Sequence, residues 1–493
     1  MSGTSAPPTI QLNDMSTNPH EMTEAKDFAA NPKSPTVVFH TDPFDNTLLE
    51  PPTNTLTETI SATDSEDPLE DGYLTSRRRS MSHHLERTDV PSRKWLHIQA
   101  NFWRACMRLG MLFHDWAPPR APRPAFKHEI PTDTIPIQLF FYLPPNYDNI
   151  LRTDPHYRFP AVINFHGGGF VLGDASDDRY WARVAMERTS AIFISVNYRR
   201  APEHPFPIPV DDCAEAILYV ADHATELNID PGNIALSGFS AGANLALAAP
   251  LRIQYHYGID VINSTKTPVS RPTTASTFQT DTSNREDNFP DAGNFLSATQ
   301  STASLLRAKT ASPLRIRSIV AWYPLLDWTM SRSRKIRESR NPKMCLSKTF
   351  TDLFDVSYLP PPDVAGDHCS PYASPGLARD HMIRDGLPQE MQMWLCEWDM
   401  LLAEGQHLSD RFERLGKNID SKMIPRVPHA WDKSVNPFRD QKAIDMLYTK
   451  SAINLNKVFQ DKDGIGWGNS MSSLHPTDTI IERQPRNSII LPL

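Results

Sequence analysis

From Pro91 onward the chain alternates short runs that are apolar at nearly every position with longer amphipathic ones. The short runs are 135–143 (IPIQLFFYL), 159–165 (FPAVINF), 191–196 (AIFISV), the stretch from Asn233 to Phe239, 317–322, 389–395 and 421–424. A strand apolar on both of its faces is buried on both faces, which predicts a mostly parallel sheet. The amphipathic runs at about 180–188, 210–226, from the end of the Asn233 strand to near Tyr257, 347–359, 400–415 and 439–459 predict the helices that cover it. The predicted fold class is α/β, with helices on both sides of the central sheet and a helical cap.

Ahead of the first strand, Trp95, Leu96, Ile98, Phe102, Trp103, Met107, Leu109, Leu112 and Phe113 recur at helical spacing, punctuated by Lys94, Arg104 and Arg108. Pro118-Pro119 ends the run, so a cap helix is expected over 91–118, packed across the mouth of the core. Two tryptophans, two phenylalanines and a cationic face also suit a water–lipid boundary. Peripheral membrane or lipid-interface contact through 95–113 therefore stays open.

Three stretches show no periodicity. Residues 1–90 are rich in Pro, Thr, Ser, Asp and Glu, 261–312 hold 18 Ser or Thr in 52 positions, and 461–493 are polar. Segments of this kind bury too little apolar surface to offset their conformational entropy, so a disordered tail, a disordered insertion and a C-terminal tail are expected around one large α/β domain over 91–460. The first 90 residues carry 6 Lys or Arg against 15 Asp or Glu, a net of −9, whereas the whole chain is −8. The body is thus close to neutral and has no basic field to hold nucleic acid. Arg77-Arg78-Arg79 before Ser80 is either a solvated basic cluster or a kinase site.

Five cysteines are scattered with no C-x-x-C pair, which predicts free thiols, no disulfide framework and no metal site. The polar N-terminus lacks an apolar signal core, and no run of 18 uncharged apolar residues occurs. The expected location is cytoplasmic, with attachment to a membrane or lipid droplet open, and not secreted.

The chemistry sits at the ends of the predicted strands. Gly238-Phe239-Ser240-Ala241-Gly242 joins an apolar strand to an Ala/Leu-rich helix, placing a serine at a sharp turn. Alone, G-x-S-x-G is a weak pattern. His166-Gly167-Gly168-Gly169 ends the 159–165 strand, and glycines there let backbone amides approach an oxygen that becomes negative during acyl transfer. The amides of Gly167, Gly168 and Ala241 are the candidate oxyanion donors, with His166, Gly169, Gly238 and Gly242 supporting the turns. A serine hydroxyl needs a base, and the base needs an orienting acid. Asp399 follows the 389–395 strand and His429 follows the last one, in the order Ser, Asp, His. Glu397 and Glu404 are the alternative acids.

HGGGFVLGD, VNYRRAPEHPFPIPVDD, GFSAGANLA, WYPLLD, EWDMLLAEG and VPHAW, in that order, resemble the hormone-sensitive-lipase-like family of α/β hydrolases. The resemblance covers about 91–459 without the Ser/Thr-rich insertion. It implies an α/β-hydrolase sheet with a cap, a Ser240–Asp399–His429 triad and hydrolysis of uncharged, hydrophobic carboxylic esters without cofactor or metal. A deacetylase or amidase acting on acetylated sterols or aryl acetamides uses the same machinery, and a non-catalytic small-molecule receptor uses the same scaffold. Two positions depart from the family. Phe239 stands where an acidic residue is frequent inside the elbow, and Ala243 where a glycine is. Those departures bear on substrate preference.

Overall fold

The computed structural model describes residues 91–116, 120–262, 314–360, 368–433 and 439–461. The expectations for the 1–90 tail, for Ser80, for 263–312 and for 462–493 lie outside these residues.

Eight strands form one sheet in the order β1-β2-β4-β3-β5-β6-β7-β8. They are β1 (Phe126–Ile130), β2 (Ile137–Tyr142), β3 (Phe159–Phe165), β4 (Ile192–Asn197), β5 (Ile229–Phe239), β6 (Ile316–Trp322), β7 (Glu390–Cys396) and β8 (Asn418–Ile424). From β4 through β8 every neighbour is parallel, while β1 and β2 run antiparallel at one edge. Among the described residues the helices are α1 (Arg93–Trp116), α2 (Tyr147–Thr153), α3 (Arg179–Thr189), α4 (Ile208–Asp222), α5 (Ala241–Tyr255), α6 (Arg332–Glu338), α7 (Lys348–Tyr358), α8 (Asp380–Gly386), α9 (Leu402–Arg414) and α10 (Gln441–Gln460). None of them is long and apolar enough to cross a membrane.

The central strands are mostly apolar on both faces because both faces are covered. Within β3, Ile163 joins the core under α4 and α5, and Val162 joins the core under α3 and α10. Ile319 and Val320 of β6 divide in the same way. Each such side chain contributes about 1.5–3 kcal/mol when fully buried.

Several expectations shift. β1 is read from FKHEI, four of whose five residues are exposed, so it carries no apolar run to announce it. It is an edge strand held by pairing with β2. The polar stretch after Pro145 holds the short helix α2, none of whose residues is buried. β8 starts earlier than 421, because its first residues are only partly covered. Val261 and Ile262, read as the start of the insertion, are buried, and the Val261 carbonyl accepts the Ile316 amide at 2.8 Å. They belong to the core.

The elbow is where the sheet sets its tightest condition. A methyl added to Gly242 would collide with the carbonyl oxygen of Phe165 at the end of β3, and one on Gly238 with the carbonyl of Gly242. The helix that follows the serine can lie against the neighbouring strand only if neither residue has a side chain. We expect Gly242→Ala to lower the unfolding free energy in urea by about 3 kcal/mol or more, the upper end of overpacking in a fixed core. Gly258→Ala tests the alternative cost. Gly258 has φ +71° and open space around it, so an alanine there meets only the left-handed backbone penalty of about 1–2 kcal/mol. Equal losses at the two positions would refute the steric account.

Candidate active site

Ser240 has φ 55° and ψ −114°, a conformation that a residue with a side chain holds only when its surroundings impose it. The imposition is visible. The Ser240 amide donates to the Trp322 carbonyl at 2.8 Å, and its own carbonyl accepts from Ala243 and Asn244 in the first turn of α5. The strained turn lifts Oγ out of the sheet edge. There it lies 2.8 Å from Nε2 of His429.

His429 stands in the loop after β8, between Arg426 and Ala430, both with positive φ. Its Nδ1 is 2.6 Å from Oδ2 of Asp399. Asp399 occupies the turn after β7, and its Oδ1 accepts the Leu401 amide at 3.1 Å. It is almost wholly buried. The Tyr323 ring packs edge-on to the imidazole with centroids 4.9 Å apart. The structure therefore brings Ser240, His429 and Asp399 into one hydrogen-bonded row. The alternative acids are elsewhere. Glu397 accepts from the Arg426 amide and from Arg340, and Glu404 pairs with the buried Lys335.

Gly167, Gly168 and Gly169 line the same cavity as Ser240 and Ala241. Gly168 has φ +110° and Gly169 φ +61°, so the loop takes a path open chiefly to glycine. Ala241 is the first residue of α5, where a helix amide has no intrahelical acceptor. His166 is buried behind the loop. Its ring stacks on Tyr198 at 4.3 Å, Nδ1–H donates to the Gly167 carbonyl at 2.8 Å, and the Tyr198 hydroxyl donates to the His166 carbonyl at 2.8 Å. Burial first, then Arg200, lowers its pKa to about 4, so the ring is neutral near pH 7.

The cavity measures about 220 Å³. α1 supplies Met107 and Met111 to its wall, α7 supplies Phe350 and Phe354, and Trp328 and Leu401 add to the apolar lining. Four charged side chains also reach it, and sequence reasoning named none of them. Arg332 is tied to Asp355, with Nη2 at 2.8 Å from Oδ1. Lys433 lies 2.7 Å from Asp178 and 3.8 Å over the Phe239 ring. Burial alone would lower the Lys433 ammonium, but the Asp178 and Asp432 carboxylates overcome it and hold its pKa above the ordinary lysine value. Asp177 is the fourth. Burial first, then the Asp174 and Asp178 carboxylates, push its pKa up to about 7. A faint sequence signal existed for these residues. Asp177 and Asp178 follow the HGGG loop within a dozen residues, and Lys433 comes four after His429. Among the described residues no cluster of three or more His, Cys, Asp or Glu could hold a metal ion.

A family model described as the alpha/beta hydrolase fold matches residues 162–300 and 292–433, more than half of the chain. The chain belongs to the α/β-hydrolase family. This bears out the resemblance that its motifs carry. Curated relatives match parts of the chain. The esterase LipI of Mycobacterium tuberculosis is 44% identical over 87 residues, 18% of this chain and 27% of that protein. The arylesterase of Saccharolobus solfataricus is 43% identical over 90 residues, 18% and 29% of the two chains. A probable carboxylesterase 1 of Arabidopsis thaliana is 36% identical over 127 residues, 24% and 39%. The chain thus spans between about a quarter and two fifths of the length of these curated relatives. A solved esterase of the hyperthermophilic archaeon Pyrobaculum calidifontis superposes with a TM-score of 0.53 at 22% identity, over 79% of this chain and 98% of that one, which shows the shared fold.

Asp177 gives the site a pH signature. Its folded pKa of about 7 lies above the ordinary 3.8, so between these values the folded protein binds a proton that the unfolded chain has released. Stability then falls as pH rises through that window. Asp177→Asn removes the titration while an amide oxygen still accepts the Asp174 amide, which Asp177 now binds at 3.0 Å. We expect the wild type to lose thermal midpoint from pH 5 to pH 8 and the variant to lose markedly less. Parallel pH curves for the two proteins would refute this.

Proposed function

We propose that this protein is a carboxylic ester hydrolase acting through an acyl-enzyme. The observation that carries the reading is the unbroken row from Ser240 Oγ through His429 to the buried Asp399, at 2.8 and 2.6 Å. Ser240 Oγ attacks the ester carbonyl as His429 Nε2 takes its proton. The tetrahedral oxyanion is held by the amides of Gly167, Gly168 and Ala241, each worth roughly 3–4 kcal/mol of barrier. The C–O bond to the alcohol breaks as His429 returns the proton to the leaving oxygen. Water then attacks the acyl-enzyme, again losing its proton to His429, and Ser240 leaves with that proton to release the acid. Asp399 fixes the imidazole tautomer with Nδ1–H pointing inward and stabilises the imidazolium.

The lining supports uncharged, hydrophobic substrates. Its apolar walls come from Met107, Met111, Phe350, Phe354 and Trp328, while Lys433 and Arg332 are already matched by Asp178 and Asp355. Taking a charged substrate would mean breaking one of these pairs in a low-dielectric site, which is costly. The relatives named esterase, arylesterase and carboxylesterase support the same reaction class.

Ser240→Ala should abolish both turnover of p-nitrophenyl butyrate and labelling by a fluorophosphonate, and Asp399→Asn should fold normally while turnover drops by about 10⁴. A wild type that labels no better than Ser240→Ala sinks the enzyme reading and leaves a binding protein. The end of the cavity sets acyl length. The Phe354 ring lies against Gly169 at the oxyanion loop, so Phe354→Ala removes a wall. We expect kcat/KM for a dodecanoyl ester to rise about tenfold relative to a butanoyl ester. An unchanged chain-length profile would place the acyl group elsewhere.

A further inference from the structure

Of the twelve large hydrophobic side chains exposed among the described residues, five lie on α1: Trp95 at 49%, Ile98 at 59%, Phe102 at 58%, Leu109 at 58% and Leu112 at 65%. With 3.6 residues per turn they fall in a single stripe about 100° wide. The opposite side of the same helix is already engaged. Leu96 and Ala100 are buried, the Trp103 ring packs on Phe350 with centroids 4.7 Å apart, and Met107 and Met111 line the catalytic cavity. α1 is clamped in that orientation by Arg104, which binds Glu203 at 2.8 and 2.9 Å and the carbonyls of Val171 and Ala201 at 2.8 Å each. The outer stripe is thus fixed outward rather than caught mid-rotation.

One edge of the stripe is cationic. Lys94 and Arg108 are exposed along its edge, and the sequence holds no acidic residue from Arg93 to His114. Arg108 and Leu112 also form one side of a pocket of about 330 Å³ whose other side carries Arg179 and Arg200, with Asp174 and Asp177 on its wall. Burial, with Arg104 and Arg108 facing it, pushes the Arg200 guanidinium below its ordinary value, so positive charge is crowded where the stripe meets the body.

We propose that α1 docks this protein on an anionic phospholipid surface, with the stripe from Trp95 to Leu112 in the headgroup–acyl boundary and Lys94 and Arg108 against lipid phosphates. Aromatic and branched side chains on one helix face, with cations along one edge, match the chemistry of that boundary. A second copy of the chain fits less well. Pairing two stripes would bring two cationic edges together, with no acidic residue from Arg93 to His114 on either helix to meet them. Docking also serves the cavity. Met107 and Met111 reach it from the other side of the same helix, so a hydrophobic ester leaving the lipid has one helix diameter to cross.

The test is flotation of the full chain with vesicles of phosphatidylcholine alone and of phosphatidylcholine with phosphatidylserine, read as bound fraction so that it is independent of the esterase reading. The wild type should float with the anionic vesicles and be released as salt rises. The double variant Ile98→Gln/Leu109→Gln should lose at least about tenfold in partitioning. The double variant Lys94→Gln/Arg108→Gln should lose the preference for anionic over neutral vesicles. None of these four side chains lines the catalytic cavity, so turnover of a soluble short ester should be unchanged in both variants. A wild type that stays in solution with both vesicle types overturns the proposal, whether the stripe then turns out to join two copies in a sizing experiment or to lie under the chain's own acidic segment. Flotation that ignores the stripe variant overturns it as well.

Discussion

The contact on which the molecule depends is between backbone atoms: the first turn of α5 against the carbonyl at the end of β3, across Gly242. It fixes the angle at which the helix leaves the sheet, and that angle forces Ser240 to φ 55°. A relaxed serine would direct its hydroxyl elsewhere, and the 2.8 Å approach to His429 would be lost. The strain is sustained by neighbours rather than by the turn itself. The Ser240 amide is held by the Trp322 carbonyl on β6, and the Ser240 carbonyl caps the first amides of α5. Local strain of order 1–3 kcal/mol persists only where the surrounding structure over-determines it, and here three strands and a helix do so.

Behind the elbow, a cluster of charges is built around Phe239. Phe239 offers a ring, and Lys433 sits over that ring at 3.8 Å. An ammonium on an aromatic face in a buried site still requires anions, and Asp178 and Asp432 supply them. Asp432 is itself held by the hydroxyls of Tyr323 and Tyr448, and Asp178 by the amide of Asn164 at 2.8 Å. The network spans β3, β6, α10 and the loop that carries His429. Its members are single residues dispersed over nearly 300 positions, from Asn164 to Tyr448. Charge placed this way ties the loop that carries His429 to the sheet and helix beneath it.

That dispersal explains how legible the molecule is from its sequence. The central strands were legible because burial on both faces leaves an uninterrupted apolar run, and β3 was bounded to the residue. The edge strand β1 was not, because four of its five residues face solvent and only pairing with β2 defines it. Ser240, Asp399 and His429 were legible because glycine turns and strand ends mark their places in a fixed chain order. Asp177, Asp178 and Lys433 carry no such punctuation. A carboxylate beside an HGGG loop reads as surface charge until the packing of α3 and of the His429 loop shows that it is enclosed. Burial, not residue type, turns these charges into part of the site, and burial is the property that a single sequence states least directly.

α1 carries this reasoning one step further, because its pattern supported two roles and the folded helix has a separate face for each. Its inner side meets α7 through Trp103 and Phe350 and reaches the cavity through Met107 and Met111. Its outer side exposes Trp95, Ile98, Phe102, Leu109 and Leu112. A helix that only covered a core would need one apolar stripe of about 100° and a polar remainder. This one has two stripes, with Arg104, Arg108 and Lys94 together along one of the borders between them. The Arg104–Glu203 pair, whose carboxylate is held down at about 2 by Arg104 and His97 against the opposing effect of burial, locks the rotation that keeps the two faces distinct. The helix thus presents two apolar surfaces on opposite sides, one at the cavity and one at solvent. The wall of the cavity and the stripe beyond it are placed by the same ion pair.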